Sequence, residues 1–458
     1  MRRTGTFLRL GAALAVAASL VLPLPAAAQS LGEALAAAYR NSNLLEQNRA
    51  VLRAADEGVA QAVAALRPVV NFVARAEARH PLQQGANRLA ASLGLSADLT
   101  LYDFGRNQMA VDVARENVLA TRQALVNLEQ RVLLAAVAAF MDVRSTAEVV
   151  ELRNANVRLI TQQLRAARDR FELGEITRTD VAIAEARLAG ARSNLAAAEG
   201  DLAAARAAYR AAVGADPGAL RAPPALPRLP RSLNEATATA RETHPRIRQA
   251  QHEVTAAELN LARAAAARQG RIRTGAQAGI NDRGQESLSL SLSYERPLYT
   301  GGQLSSLERQ AAASRDAQRA ALHQTAVEVV QEVERAWSDL AVSAARIEAS
   351  ERQIAAAQTA YDGVRQEAEL GARTTLDVLN AEQELLDARS ARVGAEAGRT
   401  VAVYRLLAAM GLLTVEHLNL GIPTYDPDAY FNAVRNAPLN RSVQGDRLDR
   451  VLRSIGRD

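Results

Sequence analysis

"RFELGEITRTDV" (Arg170 to Val181) interrupts a long Ala- and Arg-rich region whose pattern is otherwise helical. A near copy, "AELGARTTLDVL" (Ala368 to Leu379), returns later in the chain. Gly174 and Gly371 stand 197 residues apart, as do Asp180 and Asp377. Each Gly permits a turn where a helix former would continue the helix. The two interruptions therefore predict two helix-turn-helix tips built to one plan.

Other landmarks keep the same register. "LTLYDFG" ending at Gly105 matches "RPLYTGG" ending at Gly302, and "AAVGA" around Gly214 matches "AAMGL" around Gly411, all at an offset of 197. "SLGEALAAAYRNSNLL" (Ser30 to Leu45) matches "SLNEATATARETHPRI" (Ser232 to Ile247) at 202. A period this long means a duplicated unit. The first unit covers 29–213 and the second 232–411. A Pro-rich crossover at 214–231 breaks helix between them, and a tail covers 412–458. The tail is charged after Pro438, which predicts loose packing on the outside.

Each unit reads as helix, two strands, then two long helices. The first helix starts at Ser30, with Glu33 completing a capping box, and is expected to run to about Arg67, before Pro68. The period then changes to two. Val70, Phe72, Ala74, Ala76 and Ala78 alternate with polar neighbours, and Leu93, Leu95, Ala97, Leu99 and Leu101 do so after a turn at "HPLQQGANR". The second unit repeats this with Ile272 to Ile280 and with "ESLSLSLSYE". Strands are expected at about 69–79, 89–102, 271–281 and 286–299. Such alternation suits a soluble antiparallel sheet with one wet face, or a membrane barrel with its apolar face to lipid. No other apolar layer is available to cover the Leu face, which favours the barrel. Four strands cannot close a barrel, and an open edge is not viable in lipid, so several copies must complete it.

From Gly105 to Gly174, and again from Gly302 to Gly371, 69 residues of helical pattern span roughly 100 Å at about 1.5 Å per residue. After each interruption a seven-residue seam returns. Leu188, Leu195, Leu202 and Tyr209 carry the first, and Leu379, Leu386, Val393 and Leu407 the second. Ala between them allows close coiled-coil pairing. The fold class is thus an α/β membrane protein, mainly long coiled-coil hairpins, with four strands per chain lent to a shared barrel.

Composition limits the function. The first 28 residues, with Arg2, Arg3 and Arg9, an apolar stretch and Ala26 to Ala28, read as a secretory signal peptide. Removing them lowers the net charge from +5 to about +2, so the basic pI implies no nucleic acid. Cysteine is absent, which excludes disulfides and thiol chemistry, and no later run of eighteen apolar residues occurs. His80, His244, His252, His323 and His417 show no metal-ligand spacing, and no phosphate-binding Gly loop is present. No catalytic residue, metal or cofactor is expected.

The units resemble the TolC-like outer-membrane channels of Gram-negative bacteria. "LGEALAAAYRNSN", "LNEATATARETHP", "LYDFG", "PLYTGG" and the two tip segments carry the resemblance up to about Met410. The tail "EHLNLGIPTYDPDAYFNAVR" is similar to that of members serving type I secretion. The resemblance implies a homotrimer, with a twelve-stranded outer-membrane barrel in lipid continuing into a periplasmic tunnel of twelve helices. It also implies a periplasmic adaptor (membrane fusion) protein and an inner-membrane pump of ABC or RND type as partners. In such channels the tips close the tunnel mouth. Thr179 and Asp180 fall at first-half linking positions, Arg373 at a second-half linking position, and Asp377 at an acidic-ring position. The family's linking Tyr falls at Ala368, and a second ring position is Asn380 rather than Asp. Arg373 and Asp180 are alternatively solvated turn residues that cap neighbouring helices. A soluble periplasmic coiled-coil adaptor or scaffold is the competing function.

Overall fold

Ser30 opens the first helix with the expected capping box. Its hydroxyl accepts from the Glu33 amide, and the Glu33 carboxylate accepts from the Ser30 amide. The expected single helix to Arg67 is instead two, α1 (Leu31–Asn41) and α2 (Asn43–Ala64). The break lies at Ser42, whose extended backbone and hydroxyl cap α2 at Leu45. A Ser that bonds to nearby amides competes with helix continuation. The second unit breaks at the equivalent place, between α5 (Leu233–Thr243) and α6 (Pro245–Ala266). There His244 precedes Pro245 and is driven to extended backbone.

The structure, a computed structural model, describes residues 29–78, 89–439 and 442–454. The expected signal peptide and the "HPLQQGANR" turn lie outside these residues. Strands β1 (Val69–Ala78), β2 (Leu89–Tyr102), β3 (Arg271–Asn281) and β4 (Glu286–Glu295) form one antiparallel sheet in that order. β4 stops four residues short of the expected 299, because Pro297 supplies no amide to a ladder.

Register sorts the side chains onto two faces. Phe72, Leu95, Ala278 and Leu288 form one cross-strand row, and Val70, Ala97, Ala276 and Leu290 the next. The opposite face carries rows such as Asn71, Ser96, Gln277 and Ser289. Both faces are open within the chain: Phe72 is 70% exposed and Leu288 85%. A soluble sheet would cover that apolar face.

Below the sheet run α3 (Arg106–Glu172) and α4 (Arg178–Val213), then in the second unit α7 (Gln303–Glu369) and α8 (Thr375–Ala409). At 67 residues each, α3 and α7 are roughly 100 Å long. Three apolar clusters succeed one another along α3. Val111 and Val118 meet Leu52 and Val59 of α2 near the sheet. Leu133 and Phe140 anchor the main core with α1, α5, and the ends of α4 and α8. Ile160 and Leu164 pack on Ala184 and Leu188 near the tip. One stretch of α3 reaches a mean hydropathy of 1.5 over 18 residues, although no unbroken run of eighteen apolar residues occurs in it. Half of it is buried inside the chain, as a core segment must be.

Before Pro438 the tail is fixed to the body of the chain. Leu413 and Val415 are buried in the main core, and α9 (Pro427–Val434) packs on α2. Arg122 holds Asp428 at 2.7 Å, and the Tyr430 hydroxyl donates to Glu57 at 2.7 Å. The last element, α10 (Val443–Ser454), lies on α9.

Candidate functional site at the hairpin tips

Each tip is built twice over from local hydrogen bonds. Gly174 (φ +77°) and Gly371 (φ +80°) sit in the left-handed region that an L side chain resists. No atom lies within 4 Å of where either Cβ would stand, so backbone conformation, not space, requires Gly. The Gly174 amide donates to the Phe171 carbonyl and the Glu175 amide to the Arg170 carbonyl, at 3.0 and 2.9 Å. Gly371 and Ala372 repeat the pattern on Ala368 and Glu367. These are the paired bonds that end a helix with a left-handed residue.

The next helix then starts at once. Thr177 caps α4, accepting from the Asp180 amide at 3.3 Å while its own amide donates to the Asp180 carboxylate at 3.0 Å. Thr374 and Asp377 reproduce both distances at α8. The Thr hydroxyls donate to the same carboxylates at 2.7 and 2.8 Å. These bonds, through the hydroxyl and the amide of Thr177, hold the Asp180 carboxyl below its usual range. Asp377 is lowered likewise by the Thr374 amide and hydroxyl. Both stay ionised near neutral pH. The recurring Gly-to-Asp spacing is thus a helix stop followed by a capping box.

The expected Arg373 latch is not formed within the chain. Arg373 Nε donates instead to Glu367 of its own turn at 2.8 Å. The sequence distance favours this partner, which the turn delivers without crossing to the other hairpin. Thr179 is exposed and its side chain makes no hydrogen bond among the described residues. The two tips do face a common groove of about 650 Å3, into which Asp180 and Thr177 come from one side and Arg373 and Thr375 from the other. Ala368, in place of a linking Tyr, packs against Tyr361 and Val378.

The bonds that join the hairpins lie above the tips. Arg187 of α4 donates to the Asn380 side-chain oxygen of α8 at 2.7 Å. Asn156 of α3 donates to Glu382 of α8 at 2.8 Å, with both side chains buried. Arg153 and Asp387 approach to 3.4 Å one turn further up. Burial raises the Glu382 carboxyl to about 7, against the opposing hydrogen bond from Asn156. Its Oε2 has no hydrogen-bond partner among the described residues. Sequence reading picked out Asn380 but missed Glu382 and Asn156. A signal existed, because Glu382 interrupts the apolar seam between Leu379 and Leu386.

Comparison with known proteins agrees with this architecture. The model of the outer membrane efflux protein family matches residues 34–215 and 237–412, one match for each unit. The outer membrane efflux protein BepC of Brucella suis biovar 1 (strain 1330) is 34% identical over 437 residues, covering 93% of this chain and 94% of that protein. The proteases secretion protein PrtF of Dickeya chrysanthemi is 38% identical over 104 residues, 23% of this chain and 22% of that protein. Among solved structures, CusC, described for its folding and transmembrane channel formation, aligns with a TM-score of 0.76 at 20% identity. The alignment covers 84% of this chain and 92% of that one. With both units matched and one relative similar from end to end, the chain belongs to the outer membrane efflux protein family and is a protein of the outer membrane.

Proposed function

We propose that three copies close one barrel and continue it as a helical tunnel through the periplasm, giving a passive exit duct. The sheet carries this reading. It is four strands wide, its outer edges at β1 and β4 have no partner strand among the described residues, and its apolar face is bare. Unpaired edges are not viable in lipid, and closure by further copies removes them. The polar rows then line the lumen.

The hairpin tips form the periplasmic mouth. Asp377, kept ionised by its capping bonds, would recur in each copy and favour cations there. Opening requires the α7–α8 hairpin to leave α3–α4, which breaks the Arg187–Asn380 and Asn156–Glu382 bonds. An inner-membrane pump, of ABC or RND type, supplies energy through a periplasmic adaptor. BepC is named for efflux and PrtF for protease secretion, and small toxic compounds and secreted proteins are both proposed as cargo. Membrane fractionation and planar-bilayer recording test the reading. A heat-modifiable oligomer in the outer membrane with discrete conductance is expected. A soluble periplasmic monomer would replace the channel with the scaffold alternative.

A further inference from the structure

Midway along α3 and α7, where the start of α6 meets the end of α8, the chain leaves a cleft of about 410 Å3. That volume falls in the range of sites that enclose small organic molecules, about 300 to 1,000 Å3. Gln130 lines it and is only 3% exposed, yet its side-chain nitrogen has no hydrogen-bond partner among the described residues. Buried amide donors are normally satisfied, so an acceptor is missing at this point.

The charge around the cleft is net positive. Arg131, Arg246, Arg335 and Arg405 line it, against Glu332 and Asp339. Arg246 is held by Glu328 and Glu332, and Arg405 by Asp339. Arg131 and Arg335 have no partner among the described residues. His244 adds no charge. Its Nδ1 accepts from the Arg246 amide at 3.1 Å, and burial pushes the imidazole down to about 4. Between these groups the wall is apolar, with Leu134, Ala336 and Ala409.

An apolar wall beside two uncommitted guanidinium groups and an orphaned amide donor selects a particular chemistry. Inorganic phosphate would leave the apolar wall unused, and a neutral apolar compound would leave the donors unpaired. We propose that the cleft binds a small amphiphilic organic anion. Its carboxylate accepts from Arg131, Arg335 and the Gln130 amide, and its apolar body lies on Leu134, Ala336 and Ala409. Guanidinium forks match a carboxylate in geometry as well as charge. The site stands apart from the hairpin tips and depends neither on the pump nor on the gate.

Isothermal titration of the intact purified protein in nonionic detergent tests the proposal, with 2-naphthoate as probe and neutral 2-naphthamide as control. Saturable binding of the acid at one site per chain is expected, with the amide at least about tenfold weaker. The double variant R131S/R335S, at exposed positions, should lose about tenfold or more in affinity while its oligomeric state is unchanged. Gln130→Leu should weaken the acid and not the amide. Equal uptake of acid and amide, or undiminished affinity in R131S/R335S, would overturn the assignment, whatever the bilayer recordings show.

Discussion

Helices α3 and α7 are the same length and hold the same place in the two units, yet one is finished inside the chain and the other is not. Eighteen side chains of α3 are buried, and only six of α7. Positions 197 apart show where they part. Ala136 and Val333 are both fully buried, but Val137 is buried while its counterpart Glu334 is exposed. Gln130 is buried, whereas its counterpart Val327 is 63% exposed. Among the described residues α3 packs mainly on α1, α2, α4, α6 and α8, and α7 mainly on α5, α6 and α8. The sheet repeats the contrast, with β2 and β3 paired on both sides and β1 and β4 on one. The two similar units thus differ in how far the chain itself covers their side chains, and the proposed trimer would cover what is left bare.

The largest effect should come from removing the membrane frame that makes the flanks of the chain complementary. Leu290→Arg puts a charge into the outward row, at about 2 to 4 kcal/mol per copy near the bilayer midplane. Loss of the protein from the outer-membrane fraction is expected, while Ser289→Arg on the opposite face should still insert. Equal insertion of the two variants would reverse the assignment of faces. On α7, V327E together with V342E should lower the heat-modifiable oligomer on gels about tenfold or more. Normal assembly would show that the exposed apolar residues of α7 meet no second copy.

The contrast between hairpins can be sharpened at the bonds that cross between them. Arg187→Ser removes the donor to Asn380 and should raise single-channel conductance in planar bilayers. Arg373→Ser removes a contact internal to one turn and should raise it less. The reverse order would return the latch to the tips.

Much of this was legible in the sequence because it is periodic. The strand alternation, the seam spacing and the two Gly-containing tips are written in residues whose role is local, and local physics repeats wherever they recur. The Ser42 break was not read, because a short side chain that caps a helix also tolerates its interior. The partner of Arg373 was not legible either. A long Arg reaches several carboxylates, and only the folded turn showed Glu367 to be nearer than Asp180. Glu382 was hidden by the same logic that exposed the seam, since a seam is found by its apolar members. Helix α9 escaped because eight residues carry too little periodicity.

Glu382 provides a smaller test, of how far the hairpins are held by a buried polar bond. Its folded pKa lies above the ordinary carboxylate value, so the folded chain binds the proton more tightly than the unfolded chain. The associated stability is present at acidic pH and is lost as pH rises through about 7. Asp56, which burial also raises to about 7, acts in the same direction in the core near the sheet. Glu382→Gln should flatten the fall in Tm between about pH 5 and about pH 8 and raise Tm at the alkaline end by a few degrees. A retained slope would assign the effect to Asp56.

The smallest effect separates the tips from everything above them. Thr177→Ala and Thr374→Ala each remove a capping hydroxyl, costing about 1 kcal/mol of local helix stability. Because both tips carry the same bonds at matching distances, the two substitutions should act equally on amide exchange in the first turn of α4 and of α8. That equality is what distinguishes a tip from α3 and α7, whose surroundings differ although their lengths do not. If Thr374→Ala frees the α8 amides much more than Thr177→Ala frees those of α4, the α8 tip lacks support that the α4 tip has. The difference between the units would then extend to the mouth of the duct, and the α8 tip would be the first part of the wall to move.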